Sequence, residues 1–202
     1  DVPFAVAGGN AIGTGRGETL TPVASRGAFE WVLVTSSAGL STPQVFAHFD
    51  ALEPGAVPGL ATASGPGPAV RPGAGGPPPI PAALLAGLTA GDPAAVGANL
   101  VNDLQPAALS LRPELADVIG AALDAGALGA IVSGSGPTIA CLAAAPESAH
   151  ALATALHSRL TTLNPAPTIL RATGPAPPAQ FRQSVSFSCQ VDRDPPYASK
   201  TS

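Results

Sequence analysis

Apolar positions in this chain fall into short runs whose spacing changes character several times. Phe4-Ala5-Val6-Ala7 and Ala11-Ile12 flank Gly8-Gly9-Asn10, a turn signal between two short strand-like runs. A second glycine-dense turn, Gly13-Thr14-Gly15-Arg16-Gly17-Glu18, precedes Thr19-Leu20-Thr21-Pro22-Val23, and Phe29-Glu30-Trp31-Val32-Leu33-Val34 is rich in β-branched and aromatic residues. Residues 4–35 therefore read as strands. Ser41-Thr42-Pro43 then predicts a helix start, because a hydroxyl can cap free amides and Pro suits the first turn. Val45, Phe46, Phe49 and Leu52 form its expected apolar face.

Helical patterning resumes at Ala82-Ala83-Leu84-Leu85, and a second helix is expected after Asp92-Pro93, ending near Asn102-Asp103. Arg112-Pro113-Glu114 opens a third, with Leu115, Ile119 and Leu123 on one face and Gly126 near its end. Residues 127–132 and 139–142 read as strands joined by Ser133-Gly134-Ser135-Gly136-Pro137-Thr138. Pro146-Glu147 starts a helix with Leu152, Leu156 and Leu160 aligned, and Thr168-Ile169-Leu170-Arg171 predicts a closing edge strand. With the Trp31 strand in front, the order is βαββαβ, the split arrangement of a ferredoxin-like α+β sandwich. Residues 54–79 are Pro, Gly and Ala with scattered Ser and Thr, which bury too little surface to offset ordering entropy and read as an exposed insertion. Beyond Gly174 the periodicity fails.

Composition narrows the classes. With 46% hydrophobic but only 4% aromatic residues, a core is available but must be built from Ala, Val and Leu. The net charge of −4 argues against broad binding to nucleic acid or anionic membrane. Apolar windows are cut by Gly and Pro well short of the ~20 residues that span a bilayer. The chain contains no Met and opens on Asp1, so it reads as a fragment or processed product; no signal peptide shows, although a missing N-terminus could hide one. Cys141 and Cys189, with no His at ligand spacing, suggest a reducing, cytoplasmic setting and no metal ligands.

The 133–138 loop is the sharpest chemical feature. Two glycines one residue apart let backbone amides approach an anion, and the hydroxyls of Ser133, Ser135 and Thr138 add donors, as a phosphate nest requires; a plain hairpin turn of small residues has the same look. No Walker-type Gly-Lys-Ser/Thr ending is present, and Lys200 is the sole lysine. Asp1 reads either as a base beside an apolar strand or as a solvated carboxylate, and Arg16 either as a phosphate or base contact or as an exposed turn residue. Phe46 reads by default as core. His48, His150 and His157 fall on predicted helices and read as exposed.

Six motifs in order carry a resemblance: Asp1-Val2-Pro3-Phe4, Gly8-Gly9 with the Gly13–Glu18 turn, Leu20-Thr21-Pro22, Ser41 to Phe46, Asn102-Asp103-Leu104-Gln105-Pro106, and Ser133 to Thr138. Together they resemble the C-terminal two-thirds of the 4-diphosphocytidyl-2-C-methyl-D-erythritol kinases, within the galactokinase, homoserine kinase, mevalonate kinase and phosphomevalonate kinase (GHMP) superfamily. The resemblance covers roughly residues 1–173. It implies a two-lobe α+β fold, with residues 1–35 the remnant of the N-terminal lobe, 36–173 a ferredoxin-like C-terminal lobe carrying the 54–79 insertion, and 174–202 a tail foreign to the family. It implies transfer of the γ-phosphoryl of ATP, with Mg²⁺, to the 2-hydroxyl of the cytidyl-diphosphate substrate in non-mevalonate isoprenoid biosynthesis.

By motif position, Asp1 matches the catalytic aspartate, Phe46 the aromatic that stacks on cytosine, and Pro43 the wall of the same pocket. Arg16 falls where a turn runs beside the cytidine, and Ser133, Gly134, Ser135, Gly136 and Thr138 match the motif beside the reacting phosphates. The family's lysine partner of the aspartate and its glycine- and serine-rich ATP loop have no counterpart here, so the chain alone is expected to be inactive. Two other readings are a non-catalytic ferredoxin-like domain that binds a ligand or partner, and a kinase of the superfamily acting on homoserine or a mevalonate derivative. Thr42-Pro43 with Phe46 speaks against the latter, since those acceptors carry no nucleobase.

Overall fold

The structure, a computed structural model, describes residues 2–36, 38–52, 80–161 and 166–179. Asp1, the 54–79 insertion and most of the tail lie outside the described residues. The chain opens with helix α1 (Val2–Ala7), where the sequence pattern predicts a strand. The alternation of Val2, Phe4 and Val6 misled because it reports no buried face: none of the α1 residues is buried, and Val2 is 74% exposed. Ala5 and Ala7 favour helix, and Gly8, at φ 63°, ends it with its N–H donating to Phe4 O.

Strands β1 (Asn10–Thr14) and β2 (Thr19–Val23) form an antiparallel hairpin with Ile12 opposite Thr21. Strand β3 (Phe29–Thr35) follows as predicted, then helix α2 (Thr42–Ala51), entered through Ser41 with Pro43 in its first turn. On α2 only Val45 is buried; Phe46 is half exposed. A step of one residue turns about 100° around a helix, so Phe46 leaves the stripe that Val45, Phe49 and Leu52 share. Helix α3 (Ala82–Ala90) ends at left-handed Gly91, and α4 (Pro93–Ala98) is capped by the Asp92 carboxylate, which accepts from the N–H groups of Ala94 and Ala95.

Helix α4 stops at Asn99, short of the predicted end, and a separate helix α5 (Gln105–Leu111) starts afterwards. Asparagine side chains cause the break: Asn99 Nδ2 donates back to Ala95 O, and Asn102 Oδ1 accepts from Leu104 N–H to open the next helix. Helix α6 (Glu114–Asp124), strands β4 (Gly129–Val132) and β5 (Ile139–Ala143), helix α7 (Pro146–Leu160) and strand β6 (Thr168–Gly174) complete the order.

The four-stranded sheet runs β4-β5-β3-β6, antiparallel at every junction, which is the split βαββαβ topology. Strand β3 lies centrally, with Val32 opposite both Cys141 and Arg171, so this layer begins at Phe29, ahead of residue 36. Val32 and Val34 point into a core with Leu115, Val118 and Ile119 of α6 and Leu152, Leu156 and Leu160 of α7. Phe29 and Leu142 face the other side, against Val96, Leu84 and Leu88 of α3 and α4. There α4 approaches β4 so closely that a Cβ on Gly129 would collide with Gly97 O. No helix among the described residues is long and apolar enough to cross a membrane.

Candidate functional site

Three of the sequence motifs converge at the β4–β5 turn. The 133–138 loop closes on itself through Ser133 N–H to Thr138 O (2.8 Å) and Gly136 N–H to Ser133 O (3.0 Å). Gly134 and Gly136 take φ of 59° and 80°, a region L side chains rarely adopt. They differ in surroundings. A Cβ on Gly136 would press on Val132 Cγ1 at 3.0 Å, whereas one on Gly134 would meet nothing within 4 Å. Among the described residues, the N–H groups of Gly134, Ser135 and Thr138 have no partner. The loop thus backs onto the core at Gly136 and is open at Gly134.

Two amide side chains beneath the loop hold this shape. Asn102 Nδ2 donates to Val132 O and Gly134 O, both at 2.8 Å. Gln105, only 8% exposed at the start of α5, accepts from Val132 N–H through Oε1 at 2.8 Å. Sequence reasoning used both residues for the resemblance and missed their task. The legible signal was two amides within four residues ahead of an Ala- and Leu-rich helix, since a buried amide there needs backbone partners.

Helix α2 is tied to the same place. Thr42 Oγ1 and Ser135 Oγ share a hydrogen bond of 2.8 Å, while the Ser41 side chain makes no capping bond. Further along α2, His48 Nε2 and Ser110 Oγ lie 2.9 Å apart, joining α2 to α5. His48 is therefore a half-buried bonded residue, whereas His150 and His157 are exposed as predicted. Thr42 and Phe46 stand at i and i+4, one turn apart on one side of a helix. Ser135 thus bonds to Thr42, one turn before half-exposed Phe46 on α2, and exposed Pro43 follows Thr42 in sequence.

Arg16 lies elsewhere in the hydrogen-bond network. It sits exposed in the β1–β2 turn, where its N–H donates to the Glu18 carboxylate. Bonds from this end of the chain run to α3, through Arg26 N–H to Leu88 O and Thr89 Oγ1 to Ala24 O, and from Gly9 N–H to Ala176 O. None of these joins Arg16 to the 133–138 loop. Asp1 is outside the described residues, so its distance from the loop is not a feature of this structure.

Charge around the site is sparse. Arg112 reaches from the end of α5 to Ala38 O (3.1 Å) and pairs with Glu114. The hydrogen bond from Arg112 holds the Glu114 carboxyl below its ordinary value. Among the described residues, no three His, Cys, Asp or Glu side chains cluster to hold a metal ion. These residues offer free amides and hydroxyls, which suit phosphate oxygens, and no carboxylate cage for Mg²⁺.

Known proteins resemble this chain over most of its length. Residues 84–161 match the family model "GHMP kinases C terminal". The chain is 46% identical over 179 residues to the 4-diphosphocytidyl-2-C-methyl-D-erythritol kinase of Thermobifida fusca, covering 89% of this chain and 51% of that one. The enzyme of the same name from Nocardia farcinica is 45% identical over 181 residues, covering 89% and 52%. The chain spans about half the length of the curated relatives it matches. A crystal structure of 4-(cytidine 5'-diphospho)-2C-methyl-D-erythritol kinase superposes with a TM-score of 0.55 at 26% identity, over 81% of this chain and 48% of that one. Homoserine kinase from Cytophaga hutchinsonii, at TM-score 0.59 and 21% identity over 86% and 50%, shares the fold. Residues 84–161 thus match the C-terminal domain of GHMP kinases, and the α+β topology of the described residues agrees with that likeness.

Proposed function

We propose that these residues form the acceptor side of a small-molecule kinase that phosphorylates the 2-hydroxyl of 4-diphosphocytidyl-2-C-methyl-D-erythritol, using ATP, in the formation of isoprenoid precursors. The observation that carries the reading is the Thr42–Ser135 bond, which sets the free donors of the 133–138 loop beside the helix that exposes Phe46. A nucleoside diphosphate has both a π-face and anionic oxygens. Phe46 supplies a stacking surface for cytosine and Pro43 a wall, while Ser133, Gly134, Ser135, Gly136 and Thr138 supply amides and hydroxyls to phosphate. Arg16 contributes only if substrate binding brings the β1–β2 turn near the cytidine.

In the reaction, the acceptor oxygen attacks the γ-phosphorus, the bond to the β–γ bridging oxygen breaks, and ADP leaves. The acceptor proton passes to the Asp1 carboxylate, the proposed base, and a positioned base is worth ~10²–10⁴-fold in rate. Loop amides aimed at the phosphoryl oxygens lower the barrier by meeting charge that is already present in the substrate and is redistributed in transfer. Mg²⁺ bound with ATP would neutralise phosphate charge, and the described loop residues, which offer amides and hydroxyls, would not be the ones to hold it. A cytoplasmic setting belongs to the same proposal.

ADP release by the full-length protein, measured with the cytidyl-diphosphate acceptor, homoserine and mevalonate in parallel, tests the proposal. It predicts turnover with the nucleotide acceptor alone, lost in the Asp1→Asn variant. Turnover with homoserine or mevalonate instead would overturn it. The 202-residue chain by itself is expected to give no turnover.

A further inference from the structure

We infer that Asn102 is a positioning residue for anion binding, holding the Gly134–Ser135 peptide so that the Ser135 N–H faces outward. The inference deepens the reading of the 133–138 loop as a phosphate site and rests on it. Asn102 commits both amide hydrogens and one lone pair: Nδ2 to Val132 O and Gly134 O at 2.8 Å each, and Oδ1 to Leu104 N–H at 3.0 Å. The two carbonyls it grips flank Ser133, so a single NH₂ group fixes two successive turns of the chain.

The consequence follows from peptide geometry. In a trans peptide the C=O and the following N–H point to opposite sides of the chain. With Gly134 O directed at Asn102, the Ser135 N–H is directed away from it, and a Cβ on the neighbouring Gly134 would meet nothing within 4 Å. That N–H has no partner among the described residues. By the same rule, gripping Val132 O sends the Ser133 N–H the other way, where it meets Thr138 O at 2.8 Å. Glycine occupies both signs of φ with similar ease, so without Asn102 the Gly134–Ser135 peptide can rotate and present its carbonyl to the phosphate. A carbonyl there repels what the amide attracts. The ligand class is a phosphate or diphosphate group.

Asn102 also opens α5, and the test must separate that structural task from the proposed one. Asn102→Asp keeps an oxygen for Leu104 N–H and loses both donors; Asn102→Ala loses everything. In the full-length kinase, both variants are expected to raise KM for the phosphate-bearing substrates at least tenfold, more than kcat falls. In the unaltered protein, the Ser135 amide resonance is expected to shift on titration with inorganic phosphate. Wild-type KM in Asn102→Asp would overturn the inference, leaving Asn102 only the start of α5. So would a Ser135 amide that phosphate does not move. Gly134→Ala distinguishes the failures, because it strains a φ of 59° on the open side of the loop. If it raises KM while the Asn102 variants do not, the inference alone falls; if it leaves KM unchanged, the phosphate reading of the loop falls with it.

Discussion

Replacing Phe46 by Ala separates a binding role from a packing role, because its neighbour Val45 supplies the comparison within the same helix. Val45 is fully buried, whereas Phe46 is 50% exposed. Full burial of a Phe side chain is worth roughly 1.5–3 kcal/mol, so half of it amounts to about 1 kcal/mol, and the better helix propensity of Ala returns up to about 0.5 kcal/mol. Phe46→Ala should therefore destabilise the fold by less than about 1 kcal/mol. Val45→Ala removes about two methylene equivalents at ~0.8 kcal/mol each and leaves a cavity, for a loss of about 2 kcal/mol. Binding should show the reverse order. Stacking of a base on an aromatic face is worth ~1–3 kcal/mol, which is roughly a 5- to 150-fold rise in KM for the cytidine substrate. Urea unfolding gives the stabilities, and initial rates of the proposed reaction in the full-length protein give KM. Equal destabilisation by the two variants, with KM unchanged in Phe46→Ala, would refute the reasoning and return Phe46 to the core.

Other regions carry predictions of their own. Burial pushes the Cys141 thiol up to about 12 from 9.0; in a Cys189→Ser background it should resist a thiol reagent at pH 8 until the protein unfolds, and labelling at the rate of a free thiol would contradict this. Because the unfolded chain gives up that proton first, stability should fall as pH rises from about 9 toward 12, at up to about 1.4 kcal/mol per unit. Gly129→Ala forces a methyl against Gly97 O and should cost about 1–3 kcal/mol, read as a lowered Tm. The Arg112–Glu114 pair holds the glutamate carboxyl low, so its contribution is present above the ordinary carboxylate range and is lost as pH falls through the lowered value. Arg112→Gln should let Glu114 titrate nearer its ordinary value, followed by its carboxyl NMR shift.

The four-stranded layer was legible in the sequence because each element carried a period of its own. Leu152, Leu156 and Leu160 repeat every four residues and all are buried on α7, and the β-branched run at Phe29 became the central strand. Helix α1 was not legible, since Val2, Phe4 and Val6 alternate like a strand on an element that buries nothing. The break between α4 and α5 depends on side-chain amides bonding to backbone, which hydrophobic spacing does not record. The same blindness applies at the site. Glycine spacing pointed to the 133–138 loop, but the grip of Asn102 and Gln105 on it joins residues some thirty apart in sequence. Phe46 reads by default as core because it counts on the apolar face with Val45; one step of rotation from Val45 leaves it half exposed.

Titration of ¹⁵N-labelled protein with cytidine diphosphate tests most directly whether loop and helix form one site. The account predicts that the amides of Gly134 and Ser135 and the ring resonances of Phe46 shift together, along a single binding curve. Shifts confined to the β1–β2 hairpin and α3, with loop and ring unmoved, would contradict it.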